Sequence, residues 1–424
     1  MGLPLEGLRI LSLAHQYPGP YATLLLSDLG AEIVLVERPG AGDPARAFPG
    51  FHGALARGKR SVVLDLKVEQ GRNLLLALVK KADVVLDGYR PGALDKLGVG
   101  PDALTRICPK LVYVSVSGYG LTGPYADRSG HDLTYQAEAG VLYEHVPPAA
   151  PPAAPSLALG DLVAGLLAAQ AVLIGLFRRE RDHDGSKWDV SMFDGLVSLL
   201  TAHVGPVLNQ EGPPGFPYEP GYGVFRTRDD VHLALGVAHE DHFWRALCDI
   251  AGMEEDRGLV SSERFAEHTR LRSALERAIA KRPADEWEDL LKDHDVPFGR
   301  VRSLADLAES PHVIARELLM REPGGGVERV YVRQPLGVNG ELPGPRTGVP
   351  SLGQHTVEVL TEAGIPADII EAALDLQAAV QGSCSSHGGT DVSEVDDGLD
   401  RRNGGTATHR YPSRVLRPSR NLKR

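Results

Sequence analysis

Residues 8–36 read LRILSLAHQYPGPYATLLLSDLGAEIVLV, and this stretch predicts the fold. Its first part, 8–14, is a short and nearly continuous apolar run, as expected for a strand buried on both faces. A Tyr-Pro-Gly-Pro sequence ends the run, residues 21–30 carry apolar side chains at helical spacing, and 33–36 form a second apolar strand. Strand, helix and strand in this order are typical of a βαβ unit with a right-handed crossover.

The same alternation continues to about residue 120. We predict further strands at 61–66, 84–86 and 111–116, and a helix at 73–81. Strands and helices in turn indicate an α/β fold with a parallel, Rossmann-like sheet. The turns between strands and helices are rich in Gly and Pro, but the turn after the first strand, where a nicotinamide-dinucleotide fingerprint would lie, does not spell GxGxxG.

The remaining chain divides by composition. A Gly- and Pro-rich connector at 205–223 precedes a second unit that begins near Gly223, and residues 297–350 are poor in long helices. Residues 381–424 have almost no apolar periodicity and are predicted to be a disordered tail. Such a tail is either a regulatory arm or a simple extension, and we favour the extension.

Composition excludes several classes of function. The chain has 424 residues, a net charge of -11, 42% apolar and 24% charged residues, as in an ordinary soluble globular protein. The acidic charge argues against nucleic acid as a partner. Three cysteines without a CxxC pair argue against a disulfide framework or a zinc site, and no metal is expected. No signal peptide is recognisable, the apolar run 162–177 is too short for a membrane span, and a cytoplasmic location is predicted.

Two polar residues are the first candidates for chemistry. His131 lies in GHDLTY at 130–135, and Asp161 opens the apolar run that begins at Leu162. A carboxylate at the first turn of a buried helix is favoured by unpaired backbone N–H groups and by the helix dipole. A purely structural interpretation is also open, with Asp161 as a helix cap and His131 as a core histidine.

Basic residues gather near the ends of predicted strands. Arg38 and Arg90 follow the second and fourth strands, and Arg57 and Lys59 precede the third. Ligands of open parallel sheets bind at the carboxyl ends of strands, and arginine grips phosphate oxygens with two hydrogen bonds. We therefore predict that these four residues bind the phosphates of a nucleotide-like ligand, although each one alone is more often a solvated surface charge.

Two further stretches complete the set of candidates. Gly118, Tyr119 and Gly120 follow the fifth strand, where a glycine-rich loop lets backbone N–H groups approach an oxyanion, or is a plain loop. Glu240, in GVAHEDHF at 236–243, begins a predicted helix and by itself is an ordinary first-turn acid.

Together these stretches resemble the family III CoA-transferases, the L-carnitine dehydratase/bile-acid-inducible protein F family that also contains the alpha-methylacyl-CoA racemases. The resemblance covers roughly residues 4–375. Its motifs occur in the family's order: PGPYATLLLSDLGAEIVLVERPGAGDPAR at 18–46, RGKRSVVLDLK at 57–67, DGYRPG at 87–92, SGYGLTGPY at 117–125, GHDLTYQAEAG at 130–140, GDLVAG at 160–165, GSKWDVSMFDG at 185–195, SPHVIARELL at 310–319 and LGQHTVEVL at 352–360.

The resemblance implies an acyl-CoA enzyme, and the racemase-like branch is our main expectation. In that branch His131 and Asp161 are two bases that exchange the α-proton of a 2-methyl-branched acyl-CoA, with Glu240 orienting the histidine. GHD followed by tyrosine is the racemase pattern. DLVAG after the aspartate, YEPGYG at 218–223 and GAGDP at 40–44 depart from it, the last resembling a transferase opening.

The alternative is a CoA-transferase. The resemblance then makes Asp161 a nucleophile that forms a mixed anhydride and then an aspartyl-CoA thioester, while His131 is only structural. A non-catalytic acyl-CoA-binding protein is a third reading and would make the combination of His131, Asp161 and Glu240 a coincidence. The family further implies a large Rossmann-like domain at 1–199 and 350–380, linkers at 200–222 and 313–349, and a smaller α+β domain at 223–312. It also implies an interlocked homodimer with Glu240 acting in trans, and no cofactor beyond the CoA of the substrate.

Overall fold

The structure, a computed structural model, describes residues 2–144, 151–211, 219–322, 329–344 and 347–383. Within these ranges the strands are β1 Arg9–Ser12, β2 Glu32–Glu37, β3 Arg60–Leu64, β4 Val84–Asp87, β5 Val112–Ser117, β6 Ser186–Ser191, β7 Tyr222–Arg226, β8 His232–Gly236, β9 Phe298–Arg300, β10 Leu319–Glu322, β11 Arg329–Val332 and β12 Ala379–Val380. The predicted tail lies outside the described residues from 384 onward, as does part of the Pro/Ala-rich segment, 145–150.

The helices alternate with the first strands as predicted. They are α1 Pro18–Asp28, α2 Pro49–Ala56, α3 Glu69–Val79, α4 Ala93–Lys96, α5 Pro101–Ile107, α6 Asp132–Glu138, α7 Val141–Glu144, α8 Leu159–Asp182, α9 Met192–Leu199, α10 Thr201–Leu208, α11 Asp241–Ala251, α12 Ser261–Ala266, α13 His268–Ile279, α14 Ala284–Asp293, α15 Pro311–Ala315, α16 Thr356–Glu362 and α17 Ala367–Asp375. Short 3₁₀ turns occupy Pro44–Ala47, Glu254–Asp256 and Ala305–Glu309.

The large sheet has seven strands in the order β12-β3-β2-β1-β4-β5-β6. The six strands β1 to β6 pair in parallel, and β12 pairs antiparallel to β3 at one edge. The order 3-2-1-4-5-6 is that of the doubly wound Rossmann sheet, so the predicted α/β fold is confirmed.

Both faces of this sheet are covered by helices. Leu11 and Val85 belong to a core on one face, packed with residues of α3, α16 and α17. Ile10 and Val84, their neighbours in sequence, belong to a core on the other face, packed with α1 and α8. Because alternate side chains of a strand point to opposite faces, a strand covered on both sides is apolar throughout.

Helix α8 is the principal helix of the second face. It is long and apolar enough to cross a membrane by length and composition, yet 56% of its most apolar window is buried inside the protein. Its buried residues, among them Ala164, Ala168 and Val172, pack in the core with α1 and the sheet. The helix predicted over 162–177 packs in the core as expected, but it extends over Leu159–Asp182, so the expectation that it is too short to span a membrane is wrong.

A second, smaller sheet follows in the chain. Strands β7, β8 and β9 are antiparallel, and α11, α13 and α14 cover one face around the buried Trp244 and Trp287. This α+β unit falls within 223–312 apart from Tyr222, the first residue of β7. The domain boundaries stay a prediction.

Two local expectations differ from the structure. The predicted linker 200–222 begins with α10, which contains Pro206. Gly205 and Pro206 suggested a loop, but an eight-residue helix tolerates a proline that removes one backbone hydrogen bond. The predicted helix 262–281 is two helices, because the backbone leaves the helical conformation at Glu267 (φ -107°, ψ 16°).

Candidate active site

A cavity of about 620 Å³ opens at the carboxyl ends of β1 and β4. These strands are neighbours where the strand order reverses, and open α/β sheets bind ligands outside such a switch point. Residues 14–19 after β1, 88–91 after β4 and 116–118 at the end of β5 line it. The loop 126–132, Thr134, Tyr135, Asp161 and Met192 complete the wall. The topology of the sheet therefore brings six separate parts of the chain to one site.

Asp161 is one of three aspartates that line this cavity, and it stands in the first turn of α8. Its carboxylate has no hydrogen bond or ion pair with any residue that the structure describes. Burial raises the pKa of Asp161 to about 7, and the negative charge of Asp132 adds to the rise. A carboxylate without a neutralising partner is available to attack an electrophile.

Asp132 supports Asp161 from α6. Its Oδ1 accepts a 2.7 Å hydrogen bond from the backbone N–H of Gly160, and its Oδ2 accepts one of 2.6 Å from Gln136 Nε2. Asp132 thus satisfies an otherwise unpaired N–H at the start of α8 and holds a second negative charge near Asp161.

His131 lies in the same cavity, one residue before α6. Its backbone N–H donates to Thr134 Oγ1 at 3.1 Å, and its side chain is exposed. The structural alternative of a core histidine is therefore wrong. The structure brings His131 and Asp161 to one cavity, as the sequence predicted, and their chemical roles stay predictions.

The predicted phosphate ligands separate into two pairs. Arg90 lines the cavity, is exposed and forms no ion pair with the described residues. Arg38 is exposed, and its Nε donates to the Gly42 carbonyl at 3.1 Å. Arg38 also lies near the cavity residue Tyr89, whose pKa is raised by burial and by Asp87 and lowered by the positive charge of Arg38.

Arg57 and Lys59 lie inside the protein instead. Arg57 is 1% exposed and forms two hydrogen bonds of 2.5 and 2.9 Å with the Asp28 carboxylate. Lys59 is also 1% exposed and donates to the Pro20 carbonyl at 2.8 Å and to Thr23 Oγ1 at 2.7 Å. Burial lowers the pKa of Lys59 to about 7. Both side chains are thus bonded inside the protein, which corrects the expectation that they bind phosphate. Local sequence could not show this, because it does not distinguish a buried basic residue from a solvated one.

The loop after β5 also differs from expectation. Gly118 lines the cavity, but a Cβ there would lie 2.3 Å from the Tyr135 hydroxyl, so the glycine makes room for that ring. The N–H of Gly120 donates to Ser117 Oγ at 3.0 Å. Tyr119 is buried, with its ring edge-on against Tyr135 at 5.0 Å. The loop shapes the cavity wall, and the N–H of Gly120 is bonded to Ser117 and not offered to an oxyanion.

Glu240 is not among the residues that line this cavity in the described chain. It precedes α11 in the smaller unit, and its Oε2 is buried without a hydrogen-bond partner among the described residues. The pairing of Glu240 with His131 stays a prediction that requires a second chain. In the described ranges no group of three or more His, Cys, Asp and Glu is arranged to hold a metal.

Sequence reasoning missed two residues of the site. Tyr17 and Asp132 both line the cavity. Tyr17 lies in the loop between β1 and α1, so the rule that ligands bind at strand ends, which indicated the arginines, also points to it. Asp132 lies within GHDLTY, but only its tertiary contact with Gly160 reveals its role.

Comparison with known proteins identifies the family. The model of CoA-transferase family III matches residues 5–356. The chain belongs to this family. An acetyl-CoA:oxalate CoA-transferase from Acetobacter aceti is 34% identical over 86% of this chain and 96% of that protein. A succinyl-CoA:mesaconate CoA-transferase from Haloarcula marismortui is 32% identical over 85% and 96%.

Solved structures of the family have the same fold. A CaiB/BaiF family protein from Brucella suis superposes with a TM-score of 0.76 at 28% identity, over 86% of this chain and 100% of that chain. Rv3272 from M. tuberculosis superposes with a TM-score of 0.77 at 30% identity, over 84% and 99%. The chain is therefore a family III acyl-CoA enzyme. The relatives from Acetobacter aceti and Haloarcula marismortui are named CoA-transferases, so the expected racemase-like branch is not confirmed and the alternative is better supported.

Proposed function

We propose that this family III enzyme transfers CoA between carboxylic acids through a covalent intermediate on Asp161. The observation that carries the proposal is the Asp161 carboxylate, which faces the cavity without an ion pair or hydrogen bond among the described residues. A carboxylate that forms a structural salt bridge is held by its partner, whereas a nucleophile needs free oxygen lone pairs. The names of the relatives support the same reaction.

The reaction runs in two similar halves. An oxygen of Asp161 attacks the thioester carbon, the C–S bond breaks, and CoA leaves as a thiolate. The thiolate then attacks the γ-carbon of Asp161, releasing the first carboxylate and leaving an aspartyl-CoA thioester. The acceptor carboxylate then attacks the aspartyl-CoA thioester, and the two steps run in reverse. The acceptor leaves as the new acyl-CoA.

The acceptor class is a small dicarboxylic acid. The relatives act, by their names, on oxalate, citramalate, glutarate and mesaconate, each of which has two carboxylates. For CoA itself the supported anchors are Arg38 and Arg90. Both are exposed, and Arg90 lines the cavity.

Racemisation is the second candidate, because His131 and Asp161 line one cavity. Two bases on either side of an α-carbon would exchange its proton through an enolate. In that reaction the imidazole is essential, whereas CoA transfer needs only Asp161 as the covalent group.

A homodimer is part of the proposal. Leu166, Leu173, Ile174 and Phe177 form an exposed apolar face of α8, with Phe177 72% exposed. Continuous apolar surface of this kind is typical of subunit interfaces. A second chain would also be the source of Glu240 at the cavity, so an active monomer in gel filtration would contradict this part.

One incubation tests the two candidates. The enzyme is mixed with acetyl-CoA or succinyl-CoA, a 2-methylacyl-CoA and free oxalate, mesaconate or glutarate in heavy water. Formation of the new acyl-CoA without deuterium at any α-carbon supports transfer. Deuterium uptake that disappears in His131→Ala, without a new thioester, would instead establish the racemase.

A further inference from the structure

Tyr17 brings a second functional group to the cavity wall beside Asp161. It is the residue before α1, and it lines the cavity together with Asp161 at the start of α8. The two helices pack against each other in the core. The contact between α1 and α8 therefore fixes the position of Tyr17 relative to Asp161.

Gly165 sets how closely these helices approach. A Cβ at Gly165, one turn after Asp161, would lie 2.9 Å from the Pro18 carbonyl oxygen and 2.8 Å from the Tyr21 ring. No larger residue fits there without displacing α1. The glycine thus holds the backbone next to Tyr17 against the first turns of α8.

The ring of Tyr17 is held while its hydroxyl stays available. Its ring packs edge-on against Phe51 at 4.9 Å and against Tyr21 at 6.4 Å. The hydroxyl donates no hydrogen bond to any residue that the structure describes. Burial raises the pKa of Tyr17, and the nearby carboxylate of Asp161 raises it further, so the hydroxyl keeps its proton and remains a donor.

We propose that the Tyr17 hydroxyl is a catalytic hydrogen-bond donor for the oxyanion that forms on the γ-carbonyl of Asp161. This inference rests on the proposed CoA-transferase function. When the CoA thiolate adds to the γ-carbon of the mixed anhydride, the C–S bond forms and the carbonyl electron pair moves to oxygen. The Tyr17 O–H donates to that oxyanion and keeps its proton. Collapse restores the carbonyl, and the acyl carboxylate leaves with the electrons of the broken C–O bond.

Tyr89 and Tyr135 also line the cavity, and Tyr135 has a different place from Tyr17. Its ring fills the space above Gly118 and packs on Tyr119. Burial raises the pKa of Tyr135, and among the nearby groups Tyr119 contributes more than Asp161. Tyr17 instead stands directly before α1, the helix that packs on α8, which carries Asp161. We therefore assign the donor role to Tyr17.

The test compares Tyr17→Phe with Tyr21→Phe. Tyr21 lies one turn further along α1, is not among the residues lining the cavity, and loses the same hydroxyl. Each full-length enzyme is mixed with whichever of acetyl-CoA and succinyl-CoA the wild type accepts. Intact-protein mass spectrometry then follows the covalent enzyme–CoA adduct over time.

We expect adduct formation in Tyr17→Phe to slow by about 10²–10³-fold, the usual loss of one oxyanion donor, with KM for the acyl-CoA nearly unchanged. Tyr21→Phe should form the adduct at nearly the wild-type rate. Equal rates in the two variants would overturn the role of Tyr17 and leave the transferase function intact. If the wild type forms no adduct that Asp161→Asn removes, the function itself fails, and the role of Tyr17 with it.

Discussion

Asp132 accepts a 2.7 Å hydrogen bond from the backbone N–H of Gly160, the residue immediately before Asp161. The contact joins the start of α6 to the start of α8. It also keeps a carboxylate close to the proposed nucleophile, where its charge adds to burial in raising the pKa of Asp161 to about 7. One residue therefore both positions Asp161 and adjusts the pH at which it ionises.

Asp132→Asn should move the pH dependence of the reaction. Removing the negative charge lowers the pKa of Asp161 toward its ordinary value, so more of the nucleophile is ionised at pH 6. We expect the acid limb of the kcat/KM profile to shift to lower pH, because this limb reports ionisation of the free enzyme. An acid limb that stays in place, or moves to higher pH, would contradict the assignment.

Asp161→Asn should abolish CoA transfer. The amide oxygen is a poor nucleophile, and we expect kcat to fall by about 10³-fold or more, as when other covalent catalytic groups are removed. Steady-state transfer and the enzyme–CoA adduct should be lost together. Transfer that persists without an adduct would point to direct reaction between the two substrates.

The same variant should change stability in a pH-dependent way. Because the pKa of folded Asp161 is raised to about 7, the ionised carboxylate destabilises the folded state above that pH, and the penalty disappears as pH falls toward the unfolded value near 4. Asp161→Asn should therefore have a higher free energy of unfolding than wild type at pH 8, by up to a few kcal/mol. Urea denaturation at pH 8 and pH 5 should show the difference shrinking at pH 5.

His131→Ala separates the two candidate reactions. Its side chain is exposed at the cavity and forms no ion pair with the described residues, so removal should leave the fold intact. We expect CoA transfer to stay within about tenfold of wild type, since the imidazole does not form the covalent bond. Loss of transfer by several orders of magnitude would instead assign the histidine an acid–base role.

Arg57 and Arg90 should respond differently to removal of charge. Arg57→Met removes the ion-pair partner of the buried Asp28 and should cost about 3–5 kcal/mol of unfolding free energy. Arg90→Met should leave stability unchanged and raise KM for acyl-CoA by about tenfold, the worth of a hydrogen bond to a charged group. Urea denaturation and steady-state kinetics of both variants test these two expectations. A raised KM in folded Arg57→Met, with normal stability, would restore Arg57 as a phosphate ligand.

Local sequence determined the elements of the large domain. The apolar runs at 8–14 and 33–36 became β1 and β2, and the run after Asp161 became α8. These predictions succeeded because burial on both faces of a parallel sheet requires unbroken apolar side chains, which can be read from the chain itself. The rule that ligands bind at the carboxyl ends of strands likewise pointed to Arg90, which lines the cavity.

Tertiary structure decided which polar residues share a site. Arg57 and Arg90 look alike in sequence, but one is enclosed with Asp28 and the other faces the cavity. The strand order brings the loops after β1 and β4 together, and the packing of α1 on α8 brings Tyr17 to Asp161. Burial and neighbouring charge arise only when distant segments meet. The ionisation of Asp161 therefore follows from the fold, while its identity as a carboxylate at a helix start follows from the sequence.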